Sequence, residues 1–382
     1  MKKSLLAIAI AAVVIAGGYF AYSGYLRYMN SYEGGGDYCL INEKGEVVSD
    51  IRFVGGRFYA DADLGGPIVI LRNRWPRENR RYKEAYALLD SNGNIVLGPS
   101  ESRITSLDQG LFQINQYIYD STGTKVGTLQ EWGDLGMFGK NGLAPLEYTY
   151  SNFRVGYIDA TGKYVIEREV YDDTGKLAPE RGLLMGETFA DNGLAAVENH
   201  ERLWGYIDAT GNYVIKPQFE GAGTFSEGLA VVKISDGNMA YIRENGEIAF
   251  EIKCKSAGKF LNGRAVITGD NEKKYLINTD GTRISNEEYD YIFNSSNSDI
   301  LLAINDDRYC FIGIDGKPAF DKTFDLAEDF SRNGLCAVCD ENGLWGYIGT
   351  DGEWVIEPVF ERAYPFDSTG GVAIVMLAEQ PN

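Results

Sequence analysis

Few side chains in this chain have the types needed for acid–base or nucleophilic chemistry, and they are scattered. The only histidine is His200, which stands in a predicted loop before Trp204 without a paired nucleophile or a repeat equivalent. A Ser-His-Asp or Cys-His site needs its members within hydrogen-bond reach of one another. We therefore expect a solvated loop histidine, identify no catalytic residue, and predict that the chain is not an enzyme.

Cysteine offers a second kind of chemistry, because Cys336 and Cys339 have the C-x-x-C spacing of redox and zinc motifs. Both fall on a predicted strand, where residues three apart point to opposite faces. A shared metal ion or a disulfide between them is therefore not expected. The other cysteines are Cys39, Cys254 and Cys310, and five thiols cannot all pair within one chain. We predict structural roles for these residues.

Acidic side chains recur along the chain, as at Asp159, Asp173 and Asp208, and carboxylate oxygens are the ligands that calcium prefers. A dedicated calcium loop has the denser D-x-D-x-D-G pattern, which is missing here. Short acidic side chains also cap tight turns by accepting hydrogen bonds from turn amides. We predict turn capping, with no metal site and no cofactor.

One basic segment departs from the acidic background and interleaves arginine with aromatic residues. We take it as a candidate binding loop for an anionic partner or a sugar chain, because exposed arginine and aromatic side chains are frequent binding hot spots. The alternative is a solvated loop without a ligand. The residues of the candidate loop are Arg72, Arg74, Trp75, Arg77, Arg80, Arg81 and Tyr82.

The elements that position these residues are set by internal repetition. A turn glycine recurs, and the last four intervals between its copies are 35, 35, 35 and 36 residues. Six of the nine residues that stand three positions before these glycines are Asn or Asp, which is hairpin-turn chemistry. The turn glycines are Gly45, Gly93, Gly123, Gly162, Gly211, Gly246, Gly281, Gly316 and Gly352.

Apolar runs on both sides of each turn, and a third run that opens with glycine, predict about three short strands per repeat. A unit this small cannot bury both of its faces, so neighbouring units must stack. We predict an all-β repeat protein, either a β-propeller of short three-stranded blades or an open β-solenoid or hairpin stack. The unpaired hairpin at 38–48 and the leftover strand at 371–377 favour ring closure by strand exchange. After the first thirty residues, we divide the chain into three parts. Residues 31–150 hold degenerate repeats with the basic insertion, residues 151–377 hold the regular repeats, and residues 378–382 form a tail.

Two copies of the repeat carry a recognisable motif. Leu203-Trp204-Gly205-Tyr206-Ile207-Asp208 and Leu344-Trp345-Gly346-Tyr347-Ile348 are each followed by G-x-x-V-I-x-P-x-F. These segments resemble the WG repeats of bacterial proteins, and degenerate copies extend the resemblance over roughly residues 38–377. The resemblance implies β-repeat modules that bind partners, with no shared catalytic residues.

The first thirty residues differ from the rest. Lys2 and Lys3 precede an uncharged stretch, residues 5–26, long enough as a helix to span about 30 Å of hydrocarbon. We predict one N-terminal hydrophobic helix that serves as a single membrane anchor at the bacterial cell membrane, with the C-terminal domain outside the cytoplasm. The alternative is a signal peptide that is cleaved before Gly24, which would release a secreted protein.

Charge narrows the possible partners. The chain carries a net charge of −19, and because residues 1–30 hold three basic and no acidic side chains, the remainder carries −22. Such a surface disfavours nucleic acid. We expect a non-enzymatic scaffold that mediates protein–protein interaction at the bacterial cell envelope, with an unidentified protein partner. The alternative is a carbohydrate or cell-wall binding module. An enzyme with its site on one loop face is the third hypothesis.

Overall fold

The computed structural model describes residues 38–48, 55–59, 68–76, 82–90, 94–131, 133–148, 154–167, 182–234, 237–295, 298–366 and 371–378. The chain divides after Gly36, and every described strand belongs to the unit Asp37–Asn382. The predicted N-terminal helix and anchor over residues 5–26 lie outside the described residues. Within the described ranges, no helix has the length and apolar character needed to cross a bilayer.

Short antiparallel strands form eight hydrogen-bonded sheets in the described part of the chain. The first strand, β1 (Tyr38–Ile41), belongs to a sheet that it shares with the C-terminal end of the chain. The next five sheets each hold four consecutive strands, which we call units 2 to 6. Their strands are β2 (Gly55–Tyr59), β3 (Ile68–Pro76), β4 (Tyr82–Leu89) and β5 (Ile95–Ser100); β6 (Ile104–Ser106), β7 (Leu111–Ile114), β8 (Tyr117–Asp120) and β9 (Lys125–Thr128); β10 (Asp134–Leu135), β11 (Leu143–Tyr148), β12 (Arg154–Asp159) and β13 (Tyr164–Ile166); β14 (Met185–Gly186), β15 (Ala195–Glu198), β16 (Trp204–Ile207) and β17 (Tyr213–Phe219); and β18 (Gly221–Ala222), β19 (Leu229–Lys233), β20 (Met239–Arg243) and β21 (Ile248–Ile252).

Units 7 and 8 have three strands each, and a single bridge takes the place of the fourth, Ile277 with Arg283 and Ile312 with Pro318. Unit 9 consists of two short strands, the first half of a long strand and a bridge between Ala327 and Val338. The strands are β22 (Ser256–Ala257), β23 (Arg264–Thr268) and β24 (Lys274–Asn278); β25 (Tyr291–Ile292), β26 (Leu301–Asn305) and β27 (Arg308–Ile312); and β28 (Cys336–Cys339), β29 (Trp345–Ile348) and β30 (Trp354–Phe366).

The two ends of the domain complete one further unit, unit 1. The second half of β30 pairs with β31 (Ala373–Leu377), and β31 pairs antiparallel with β1, so that Tyr38 faces Met376 and Ile41 faces Ala373. A bridge from Ile41 to Val47 supplies the outermost position. The described strands therefore form nine units, two of which share β30. The predicted exchange of the leftover strand with the N-terminal hairpin is confirmed.

Hydrophobic clusters fill the seams between successive units all the way round. The cluster between units 9 and 1 joins Ala337 to Val375, and the next cluster joins Ile374 of unit 1 to Leu89 of unit 2. The other seven clusters follow in order along the remaining seams. Because every unit packs on two neighbours, the ring is closed. The propeller prediction is confirmed, and the open solenoid or hairpin stack is wrong.

The predicted blade of three strands is wrong for most units. Its first strand was missed because it is only two residues long in units such as 5 and 6, where Met185–Gly186 and Gly221–Ala222 pair with β15 and β19. Two residues are too few to show an alternating pattern in the sequence. A four-stranded blade fits into 35 residues because this strand and the turns are so short.

The turn glycines join neighbouring units as well as neighbouring strands. Gly246, at φ +83°, closes the turn between the third and fourth strands of unit 6, and a Cβ there would lie 3.2 Å from Ile215 on the fourth strand of unit 5. Gly162 leaves less room, since a Cβ would lie 2.2 Å from the carbonyl oxygen of Thr128. Gly45 of unit 1 packs in the same way on Ile356 of unit 9. A left-handed backbone and a close neighbour both require glycine at this position.

Candidate functional site

The aromatic residues that recur from repeat to repeat pack inside the seams between units. The hydroxyl of Tyr206 donates a 2.8 Å hydrogen bond to the carbonyl oxygen of Gly223 in the next unit, and its ring lies 4.7 Å from that of Phe225. Tyr241 and Tyr347 make the same contacts with the units that follow them. Burial raises the pKa of the Tyr206 hydroxyl. These rings hold the propeller together and are not available to a ligand.

The glycine of each Trp-Gly pair also has a structural reason. A Cβ on Gly205 would lie 2.5 Å from the carbonyl oxygen of Ile215 and 2.7 Å from the nitrogen of Pro217. The pairing of β16 with β17 shifts register at this point, which brings the fourth strand close over the third. Gly346 has the same surroundings, 2.5 Å from the carbonyl oxygen of Ile356.

A charged cluster occupies the seam where the ring closes. Arg362 pairs with Glu328 at 2.6 Å, and both side chains are mostly buried. The guanidinium of Arg362 lies 4.0 Å above the ring of Trp345 and 5.2 Å from that of Tyr364. Burial raises the pKa of the Glu328 carboxyl, and the charge of Arg362 opposes this rise. Since both charges are paired, this cluster locks the seam between units 9 and 1 and offers no reactive group.

Two carboxylates from different units, Glu147 and Glu187, repel each other electrostatically at the seam between units 4 and 5. Burial raises the pKa of Glu147, and the negative charges of Glu187 and Asp134 raise it further. Glu187 keeps an exposed edge, but the surrounding protein desolvates its carboxyl, which raises its pKa as well. A pair of carboxylates with shifted pKa values is one arrangement that enzymes use for general acid–base catalysis. No group of three or more metal-ligating side chains occurs among the described residues.

The loops between the first and second strands of successive units lie side by side and are tied together. We call them the loop face, and it consists of residues 107–110, 138–142, 189–193, 225–228, 260–263 and 330–334. Lys140 pairs with Asp191 of the next loop at 2.9 Å, although the two side chains are 63% and 77% exposed. The hydroxyl of Ser226 donates to the carbonyl oxygen of Phe260 at 2.6 Å, and the amide of Gly263 donates to Glu227 at 2.8 Å.

Two features follow from these contacts. The loop backbones are fixed by hydrogen bonds from one unit to the next, so the surface is organised in advance of any binding event. Its exposed groups are of mixed charge and include Lys140, Arg332, Asp191 and Glu227. Of the surfaces in the described part of the chain, the loop face is the candidate for recognition.

The structure places the backbone of part of the predicted basic loop in strands. Arg72, Arg74 and Trp75 lie in β3 and Tyr82 lies in β4, with Arg74 directly opposite Glu84 in the register. A long hairpin therefore replaces part of the predicted loop. Residues 77–81, which include Arg77, Arg80 and Arg81, lie outside the described residues. The binding role of this segment stays a prediction.

The other sequence-predicted groups are found as follows. His200 is exposed in the turn between β15 and β16, as predicted. All five cysteines are free thiols. Cys336 and Cys339 are both buried on β28, and they contribute to different seam clusters, which confirms that they point to opposite faces. Asp208 accepts hydrogen bonds from the amides of Thr210 and Asn212, which confirms its capping role.

Sequence reasoning missed the charged groups that meet only across seams. Glu328 and Arg362 stand 34 residues apart, close to one repeat length. A comparison of equivalent repeat positions would have pointed to them, because Glu328 stands where units 6 and 7 have Gly223 and Gly258. Arg362 stands where they have Gly221 and Ser256. Arg264 gives the same signal, since it stands where other units have leucine or valine.

Comparison with known proteins supports the repeat and the fold. The family model of the WG containing repeat matches residues 204–237, 309–345 and 345–379, so WG repeats are present in this chain. No curated protein matches the sequence. A crystal structure of a eukaryotic initiation factor is similar, with a TM-score of 0.50 and 11% identity over 74% of this chain and 81% of that one.

Two further structures were found at lower similarity. BamB from Moraxella catarrhalis has a TM-score of 0.40 and 14% identity over 73% of this chain and 89% of that one. The WD40 beta propeller domain of Doa1 has a TM-score of 0.35 and 11% identity over 71% of this chain and 91% of that one. Likenesses at such low identity concern the fold alone.

Proposed function

We propose that this protein is a non-enzymatic scaffold that binds a protein partner through the loop face of its propeller, at the outer side of a bacterial membrane. The fold is compatible with such a role, because a closed ring of repeats presents a set of loops on a rigid frame. The membrane location rests on the charge and length of the N-terminal apolar segment, Lys2 to Leu26.

The main support for the proposal is that the repeated aromatic rings are buried inside the seams. A module that binds sugar chains leaves Trp and Tyr rings open along a groove. Here the repeat-equivalent tyrosines Tyr157, Tyr206, Tyr241 and Tyr347 are fully buried, and among the described side chains Tyr213 is the one exposed aromatic. A rigid loop surface of mixed polar groups is instead typical of protein–protein interfaces, whose rim is polar and forms hydrogen bonds.

The charge of the protein adds to this argument. A net charge of −22 on residues 31–382 repels nucleic acid and anionic lipid. Protein partners with basic segments are attracted by the same field, which speeds their association. Carbohydrate binding is retained as the second candidate because the β3–β4 hairpin carries Trp75 and several arginines.

The test uses the full-length protein, solubilised from membranes, as bait for envelope extract and for cell-wall polysaccharide. We expect a discrete protein partner and no retention on polysaccharide. Asp108→Asn combined with Asp191→Asn removes two exposed negative charges from the loop face and should weaken capture of a basic partner at least tenfold. Glu251→Gln combined with Glu357→Gln makes the same charge change on outer strands, away from the loop face, and serves as the control. Retention on polysaccharide that soluble sugar competes away would favour the second candidate.

A further inference from the structure

Arg264 is the most unusual buried group in the described part of the molecule. It begins β23, directly after Gly263, and its side chain is 1% exposed. In six other units the residue after the equivalent glycine is apolar, and these residues are Leu111, Leu143, Leu194, Leu229, Leu335 and Val372. Unit 7 thus places a guanidinium where the repeat otherwise puts a seam-filling hydrocarbon.

The contacts of this guanidinium use only part of its hydrogen-bonding capacity. Its Nη2 donates a 2.9 Å hydrogen bond to the carbonyl oxygen of Ser298 in unit 8. Its Nη1 lies 3.9 Å from the carboxylate of Asp299, beyond hydrogen-bond distance, and Asp299 is 78% exposed. Within the described residues, Nε and Nη1 donate to no acceptor.

Such an arrangement is costly for a purely structural residue. A guanidinium has five N–H donors and stays charged at any physiological pH. A buried charge whose donors are not satisfied destabilises a fold by several kcal/mol as an order of magnitude. A leucine would fill the same place at no such cost, as Leu229 does in unit 6. The replacement is therefore expected where the charge itself has a use.

The surroundings indicate what the charge is for. A guanidinium is matched in geometry and charge by a carboxylate, the acceptor to which it binds most strongly. Asp299 already brings one carboxylate to 3.9 Å from Nη1, and its high exposure keeps its negative charge screened by water. The nearby carboxylate of Glu227 is occupied by the amide of Gly263.

We propose that Arg264 is the recognition residue of a carboxylate-binding site at the seam between units 7 and 8, next to the loop face. The bound carboxylate accepts hydrogen bonds from Nε and Nη1. Because both nitrogens are buried, it reaches them only when the exposed side chain of Asp299 moves aside. The carboxylate belongs either to a small organic acid or to a peptide C-terminus, and both present the same group. The site is independent of the protein partner proposed above, and each proposal can fail without the other.

The test measures the melting midpoint of the full-length protein in increasing acetate, with chloride at equal ionic strength as the control. Triglycine and its C-terminal amide distinguish a peptide terminus from a free acid. For the wild type we expect a saturable rise of about 2 °C or more with acetate or triglycine and none with the amide. Arg264→Leu, which restores the repeat residue, should fold, melt at a higher temperature without ligand, and show no response to acetate. Arg264→Lys should respond weakly.

A second readout does not depend on stability. With ¹⁵N label in arginine side chains, the Nε–H signal that disappears in Arg264→Leu is assigned to Arg264, and it should move saturably with acetate. The proposal is overturned if neither carboxylate shifts the melting midpoint or this signal, or if Arg264→Leu responds as the wild type does. In either of those cases Arg264 serves only to hold Ser298.

Discussion

The hydroxyl of Tyr347 in unit 9 donates a 2.8 Å hydrogen bond to the backbone carbonyl oxygen of Tyr364 in unit 1. The tyrosine is fully buried, and its equivalents in units 5 and 6 bind carbonyls 17 residues ahead in the same way. A contact between residues only 17 positions apart in the sequence thus links two neighbouring units across a seam of the ring. The hydrogen bond also satisfies the hydroxyl of a tyrosine that is fully buried.

Tyr347→Phe removes this hydroxyl and leaves the ring in place. We expect the free energy of unfolding to fall by about 1–2 kcal/mol, because the carbonyl of Tyr364 loses its donor. Denaturant unfolding followed by tryptophan fluorescence measures the change. Tyr213→Phe, at a 40% exposed position, is the matched control and should leave stability unchanged. Equal stability of the two variants would mean that the seam hydrogen bond contributes nothing.

Gly205→Ala tests the close approach of strands at the Trp-Gly pair. The added Cβ would lie 2.5 Å from the carbonyl oxygen of Ile215, so the fourth strand of unit 5 must move. We expect a loss of about 1–3 kcal/mol, as for other overpacked sites. Gly221→Ala adds the same methyl 3.5 Å from the side chain of Lys233 and should be tolerated. A Gly205→Ala protein as stable as Gly221→Ala would show that β17 yields easily at its bulge.

The carboxylate pair at the seam of units 4 and 5 predicts a pH dependence. Glu147 and Glu187 have raised pKa values in the folded protein, so the folded state binds protons more tightly than the unfolded one. Their contribution to stability is therefore largest below the ordinary pKa of a glutamate, and it is lost as the pH rises through the raised folded values. Glu187→Gln should raise the melting temperature at pH 7 and flatten this decline.

Melting curves at pH 4.5 to 8 check the prediction, and Glu201→Gln in the exposed turn before β16 is the control for a change of net charge. If Glu187→Gln and Glu201→Gln shift the curve equally at every pH, the effect of Glu187 is one of total charge alone. A loss of stability at neutral pH in Glu187→Gln would show that the carboxylate is needed in its charged form.

Ring closure can be tested by removing the N-terminal hairpin. Deletion of residues 1–48 takes away β1 and leaves β31 with one unpaired edge, and the seam clusters on both sides of unit 1 lose Cys39 and Leu40. We expect the truncated chain to aggregate or to lose cooperative unfolding, since an exposed apolar edge strand promotes association. Deletion of residues 1–36 retains β1 and is the control. A soluble, cooperative 49–382 fragment would contradict the need for closure.

Much of this fold is readable from the sequence because its turns have strict chemistry. The glycine at the third-to-fourth strand turn requires a left-handed backbone, so its spacing marks the units, and the unpaired strands at the two ends predict closure. The short first strand of units 4 to 8 was not predictable, because a two-residue strand such as Gly221–Ala222 has no periodicity. Units 9 and 1 share the long strand β30. The sequence does not show where one unit ends and the other begins, because no turn interrupts this continuous strand.

The charged groups were harder to predict than the strands. Glu147 and Glu187 come from different units and interact only once units 4 and 5 have packed together, so no local pattern connects them. Arg264 is different, because its neighbours in sequence mark it as a repeat position and the substitution can be seen by comparing units. Only the three-dimensional arrangement of unit 8 shows which N–H donors of Arg264 lack an acceptor.

The pairing of β1 with β31 also has a consequence for how the protein is made. Tyr38 and Met376 become neighbours although more than 330 residues separate them, so the unit that closes the ring waits for the last part of the chain to be synthesised. Units 2 to 9 are built from contacts between adjacent segments and can form in order as the chain emerges. Contacts of such long sequence separation form slowly. Until then the strands at both ends of the domain expose apolar side chains. During this period the newly made chain aggregates with other chains unless it is protected against contact with them.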